Sequence, residues 1–190
     1  MNIPNKLTIL RIALTVIFMF FLFMQGALCK IFAFITFFIA AFSDFLDGHI
    51  ARKYNLVSDF GKFMDPIADK ILVLSAFIAF VELGLVPAWM VMVIILREFT
   101  ITGTRLMALR KNKIISAAVA GKHKTVSQIF AIFVILLFII FREFFHASNF
   151  WNPAIENCFK LSIFILMFIT VVFTLISGIS FFARNRGLFE

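Results

Sequence analysis

Charge is scarce in this 190-residue chain: Asp, Glu, Lys and Arg together make up 15% of it, against 63% apolar residues. That balance excludes an ordinary water-soluble domain, in which about a quarter of the residues are charged. Cysteine is scarcer still. Cys29 and Cys158 are the only two, neither at a metal-ligand or redox spacing, and both read as small apolar side chains. The three histidines form no ligand set for a soft metal; His49 reads as a helix-end side chain and His123, flanked by lysines, as a solvated one. No polar linker interrupts the chain, so residues 1–190 read as a single membrane domain.

Long apolar sequence is what the chain has in abundance, including 29 phenylalanines. A bilayer-crossing helix needs about 20 mainly apolar residues. Six such segments can be placed, at roughly 7–27, 31–52, 61–82, 87–109, 118–141 and 158–181. The expected fold is therefore all-α, a polytopic six-transmembrane-helix bundle. Gly84 with Pro87, and Ser148, Asn149, Asn152 and Pro153, supply turn chemistry between spans. The N-terminal segment is read as a retained first span: Arg11 interrupts the approach to its apolar run, and GALC puts leucine where a cleavage site wants a small residue. Trp89 and Trp151 suit interfacial anchoring on the outer side.

Cytoplasmic loops are enriched in lysine and arginine. Lys6, Arg11, Arg52, Lys53, Lys62, Arg105, Arg110, Lys111, Lys113, Lys122, Lys124, Arg184 and Arg186 fall on one side of the six spans, and Lys30, Arg142 and Lys160 on the other. Both termini are thus expected in the cytoplasm. The net charge of +8 follows from this bias and from contact with anionic lipid, with no need of a nucleic-acid partner.

Against that background the acidic residues are unevenly placed: five of the ten lie in SDFLDGHIARKYNLVSDFGKFMDPIADK, residues 43–70. On helices, Asp44 and Asp47 share one face near the end of the second span, and Asp65 and Asp69 share one near the start of the third. A short connection makes the two pairs neighbours. Four unpaired carboxylates in a membrane would cost on the order of 10 kcal/mol, so they need compensating cations. Arg52, Lys62 and Lys70 are near enough in sequence to supply part of this. Oxygen ligands converging from two helices also suit a hard divalent cation such as magnesium, shared with substrate phosphates. Gly48, Ala51 and Gly61 border the carboxylates with positions lacking bulk, suited either to a phosphorylated group approaching the backbone or to helix packing. Pro66 would leave the Lys62 carbonyl without its helical donor, which is tolerable beside a wet cavity. Asp59 is off this pattern.

The spacing Asp44-x2-Asp47-Gly48-x2-Ala51-Arg52-x8-Gly61-x3-Asp65-x3-Asp69 resembles, at every fixed position, the signature of the CDP-alcohol phosphatidyltransferases. The resemblance implies a six-helix membrane fold, commonly a homodimer, in a bacterial inner membrane with the active site facing the cytoplasm. It implies transfer of a phosphatidyl group from a CDP-linked lipid to an alcohol, with release of CMP and dependence on Mg2+ or Mn2+. Carried over by residue, it makes Asp44, Asp47, Asp65 and Asp69 the ligands of a two-metal centre and Asp69 also the general base. It places Gly48, Ala51, Arg52 and Gly61 around the CDP-diacylglycerol head group.

NIPNKLTILR (2–11), REFTITGTR (97–105) and GKHKTVSQ (121–128) resemble the branch of that family whose acceptor is sn-glycerol 3-phosphate. A phosphate acceptor needs fixed positive charge beside the metal centre, and Arg97, Arg105, Lys122 and Lys124 are candidates, with Asn5, Thr8 and Arg11 at the N-terminal interface. Inside-positive topology explains some of these charges equally well. Arg97 and Glu98 lie well within a span and should have buried partners. Other acceptors (inositol phosphate, serine, phosphatidylglycerol) are alternatives within the family. A cation transporter using intramembrane aspartates is one outside it, though it has no need of the Gly48, Ala51, Arg52 and Gly61 pattern.

Overall fold

A computed structural model describes residues 3–54, 59–110, 119–145 and 152–185, with side chains in 9–43, 70–108, 123–145 and 152–185. Among the described residues there are six helices and no strands: α1 (Ile3–Phe23), α2 (Ala27–Tyr54), α3 (Asp59–Glu82), α4 (Ala88–Arg110), α5 (Val119–Phe145) and α6 (Pro153–Arg184). By length and composition, two described stretches are long and apolar enough to cross a membrane, His123–Phe145 and Pro153–Arg184; those of α1 and α2, Ile9–Phe23 and Ala27–Ser43, are shorter.

The helix ends differ from the hydropathy boundaries where a local turn overrides an apolar run. Sequence alone extends the first span to residue 27 and begins the second at 31, yet α1 stops at Phe23 and α2 starts at Ala27. The reversal is made at Gly26, whose φ of 102° belongs to the left-handed region. Its amide donates to Glu143 Oε1 of α5 at 2.9 Å. Lys30 completes the turn from one helical turn on, its buried ammonium donating to the carbonyls of Leu22 (2.7 Å) and Met24 (2.6 Å). These carbonyls at the end of α1 lack intrahelical donors and are stabilised by positive charge. Lys30→Met should lower stability by about 1.5–3 kcal/mol, the worth of hydrogen bonds to a charged group. The readout is a lower thermal unfolding midpoint in detergent, and an unchanged midpoint would show the lysine to be dispensable there.

At the α3–α4 connection, Gly84 (φ 67°) closes a Schellman arrangement, with Leu85 N–H donating to Phe80 O and Gly84 N–H to Val81 O, both at 2.9 Å. Helix α6 begins at Pro153, earlier than the 158 read from hydropathy, because Asn152 caps it: the side-chain oxygen accepts from Ala154 N–H at 3.1 Å and proline takes the first turn.

Helix α1 packs on α2 and α3, α2 on α3 and α5, α3 on α4 and α5, and α6 on α4 and α5. The core between α1, α2 and α5 is aromatic: Phe18 and Phe37 stand 5.4 Å apart, and Phe133 meets Phe37 edge-on at 5.6 Å. Helix α6 is inside-out relative to a surface helix of a water-soluble protein. Thr170, Thr174 and Ser177 are buried, whereas Phe164, Phe168, Phe173, Ile176 and Ile179 are exposed. The threonine hydroxyls return hydrogen bonds to the carbonyls four residues before them, Thr170 to Leu166 at 3.0 Å and Thr174 to Thr170 at 2.7 Å. Apolar exposure on this scale suits hydrocarbon rather than water, with hydroxyls turned inward to the helix contacts.

Candidate active site

The aspartate motif occupies the facing ends of two consecutive helices. Asp44, Asp47, Gly48, Ala51 and Arg52 lie in the last turns of α2, Gly61, Asp65 and Asp69 in the first turns of α3, and these helices are in contact. Helix α3 runs unbroken through Pro66. The spacings of three and four residues keep each aspartate pair on one helical face. The side chains of these eight residues lie outside the described ones, as do those of Thr8 and Lys122. Among the described residues, no group of three or more His, Cys, Asp or Glu side chains converges as a metal site would require.

Immediately after Asp69, the described side chains begin with Lys70, and they open onto a buried ionic cluster. Its centre is Glu98 on α4, 6% exposed. Glu98 Oε1 accepts from Lys124 Nζ of α5 and, at 3.0 Å, from Arg97 Nη1; Lys70 Nζ of α3 stands 3.8 Å from Oε2. Lys70 also donates to Thr102 Oγ1, which in turn donates to the Glu98 carbonyl at 2.7 Å. The second Arg97 nitrogen, Nη2, donates to Ser177 Oγ of α6 at 2.6 Å. The arginine stem lies against bare Gly178, where an added Cβ would stand 3.4 Å from Arg97 Cγ. One carboxylate thus gathers cations from three helices, and a fourth helix holds the arginine fork.

Like charges about 4 Å apart repel by about 4 kcal/mol per pair at an effective dielectric of about 20. Three cations could not share this interior without the carboxylate, and among the described residues the cations of the cluster outnumber it three to one. Two further donors, Arg97 Nε and Gln128 Nε2, are buried with no hydrogen-bond partner among the described residues. Gln128 follows Lys124 by one turn of α5, and both are buried. Positive charge with spare donors in a largely buried setting is what an anion such as a phosphate monoester needs.

Of the candidate acceptor residues, the structure brings Arg97 and Lys124 together on Glu98. Arg105 is exposed two turns further along α4, its guanidinium 5.6 Å from the centre of the Phe181 ring. Arg11 is buried on α1, which packs on α2 and α3, the helices carrying the aspartates. His123 is exposed. The partners of Arg97 and Glu98 include two that sequence reasoning passed over, Thr102 and Ser177. Thr170, Thr174 and Ser177, spaced by four and three residues in an otherwise apolar helix, were the legible sign that α6 turns a polar face inward.

Two consecutive helices bearing paired aspartates, beside a buried cationic cluster, describe a membrane enzyme class that handles phosphates. The chain belongs to the CDP-alcohol phosphatidyltransferase family, whose sequence pattern matches residues 1–181. It is 39% identical to a Bacillus subtilis protein named CDP-diacylglycerol–glycerol-3-phosphate 3-phosphatidyltransferase, over 97% of this chain and 95% of that one. A Rickettsia bellii protein of the same name is 34% identical over 99% of this chain and 97% of its own length. A probable phosphatidylglycerophosphate synthase of Mycobacterium tuberculosis is 32% identical over 96% of this chain and 81% of its own.

Proposed function

We propose that this protein is a CDP-diacylglycerol–glycerol-3-phosphate 3-phosphatidyltransferase, transferring a phosphatidyl group to sn-glycerol 3-phosphate with release of CMP. The observation that carries the acceptor choice is the buried cluster of Lys70, Arg97 and Lys124 around Glu98, which starts one residue after Asp69. A phosphate-bearing acceptor uses such a cluster, whereas serine has no phosphate to place there. The relatives' names point to the same reaction.

In this reading Asp44, Asp47, Asp65 and Asp69 would hold two magnesium or manganese ions. The donor set fits: oxygen-only ligands, two on each of two helices in contact. When bound, the ions supply positive charge that neutralises the diphosphate and the departing CMP. Gly48, Ala51, Arg52 and Gly61 border the CDP group at the end of α2 and the start of α3. Arg97 and Lys124 hold the acceptor phosphate, with Arg105, Lys122, Thr8 and Arg11 completing the basic surround. Asp69 takes the proton from an acceptor hydroxyl. As it does so the hydroxyl oxygen bonds to the phosphatidyl phosphorus, the bond from that phosphorus to the CMP oxygen breaks, and CMP leaves with the electron pair.

The six helices span a bacterial inner membrane in this proposal, with both termini and the active site at the cytoplasmic side and two copies forming a homodimer. The lysine and arginine bias supports the orientation. The test of function is CMP release by the purified protein in detergent, with CDP-diacylglycerol and either glycerol 3-phosphate, inositol phosphate, serine or phosphatidylglycerol. Turnover with glycerol 3-phosphate and no ion gradient is expected. Absence of CMP release with it rejects the proposal, and preference for another alcohol reassigns the acceptor.

A further inference from the structure

Glu98 sits among the groups assigned to the acceptor phosphate, yet it has the wrong sign to bind a phosphate. Both of its oxygens are already engaged, Oε1 with Lys124 and Arg97 and Oε2 with Lys70. Flanked by three cations, this carboxylate serves as their shared counter-ion, and an approaching phosphate would be repelled by it. We propose that Glu98 is the positioning residue of the acceptor site: it gathers Lys70, Arg97 and Lys124 from α3, α4 and α5 into one anion-binding surface without touching the substrate.

Three features support this role. The hub links helices that are distant in sequence, so it sets the relative placement of the cations rather than the shape of one helix. It reaches α3 at Lys70, the residue after Asp69 in the chain, and the Lys70 contact with Thr102 ties the same point to α4 a second time. The acceptor end and the hydroxyl-activating end are thereby held to one another. Finally, Glu98 and Ser177 take the two terminal nitrogens of Arg97, which fixes the plane of its guanidinium and leaves Nε, buried and without a partner among the described residues, as a donor for a ligand.

The inference rests on the acceptor assignment made above, and kinetics with the two substrates separate them. In Glu98→Gln the Michaelis constant for glycerol 3-phosphate should rise at least about tenfold, while that for CDP-diacylglycerol stays within about twofold. Glu98→Asp keeps the charge on a shorter arm and should recover part of the loss. A merely structural role would raise both constants together, or lower the active fraction with both unchanged, and either result overturns the proposal. So does an Asp variant no better than the Gln variant. If Glu98→Gln fails to fold, Glu98→Asp alone decides, because a selective rise in the acceptor constant is still required of it. Failure of the acceptor assignment is read on the wild type instead: with no CMP release from glycerol 3-phosphate, that reading falls before any Glu98 variant is compared. The same comparison on whichever phosphate-bearing acceptor the wild type uses then tests Glu98, and use of phosphate-free acceptors alone overturns both.

Discussion

Asp69→Asn is expected to lower kcat by about a hundredfold to ten-thousandfold while leaving CDP-diacylglycerol binding largely intact. Asparagine preserves shape and one carbonyl oxygen but cannot accept the hydroxyl proton. Asp69 is the last residue of the motif and stands one position before Lys70, a member of the cationic cluster, and in the proposed reading it is the aspartate that serves the acceptor. An acceptor whose phosphate lies among Lys70, Arg97 and Lys124 has its hydroxyl within a short molecule's reach of that point on α3. Asp47→Asn provides the contrast. Asp47 lies on α2 next to Gly48, which the proposed reading sets at the CDP group, so its loss should weaken metal and nucleotide binding first, seen as a higher metal requirement and a higher Michaelis constant for the CDP-lipid. Single-turnover measurements at saturating lipid separate the two. Wild-type turnover in Asp69→Asn would remove it as the base.

The second large effect belongs to Arg97. Arg97→Ala should reduce kcat/KM for glycerol 3-phosphate by about a hundredfold, equivalent to about 2.7 kcal/mol of lost transition-state stabilisation. The substitution removes a buried cation and leaves the Ser177 hydroxyl without its donor. It also exposes the assembly to the penalty of any buried network losing one partner, about 3–5 kcal/mol, so folding must be checked alongside activity. Arg97→Lys is the sharper variant. Lysine keeps the charge but has no planar fork, and its three donors sit on one nitrogen, so they cannot span Glu98 and Ser177 as the two terminal nitrogens of Arg97 do. It is expected to remain folded yet recover only part of the acceptor affinity, and full recovery would show that charge alone matters at this position.

These expectations draw unequally on sequence and structure. The helical class was legible because a bilayer-length apolar run is a local property of composition. The boundaries were less so. Hydropathy ran the first span through Met24 to Ala27, all apolar or neutral, whereas the chain reverses at Gly26 under the hold of Lys30 and Glu143, residues whose contribution depends on where α1 and α5 end in space. Asn152 and Pro153 were recognised as turn chemistry, and the structure shows them starting α6 rather than preceding it by several residues.

By itself the sequence determined the aspartate register and, through it, the family. Spacings of three and four on a helix are set by a periodicity of 3.6 residues, so Asp44 with Asp47 and Asp65 with Asp69 share faces wherever their helices go. Only the tertiary structure decided what Arg97 and Glu98 pair with. Among the described residues, the side chains they pair with on other helices are those of residues 70, 124 and 177, and no local rule relates those positions. The physical requirement was readable, since a buried carboxylate and guanidinium must find compensation. The identity of the compensating groups was not, because it follows from which helix faces meet.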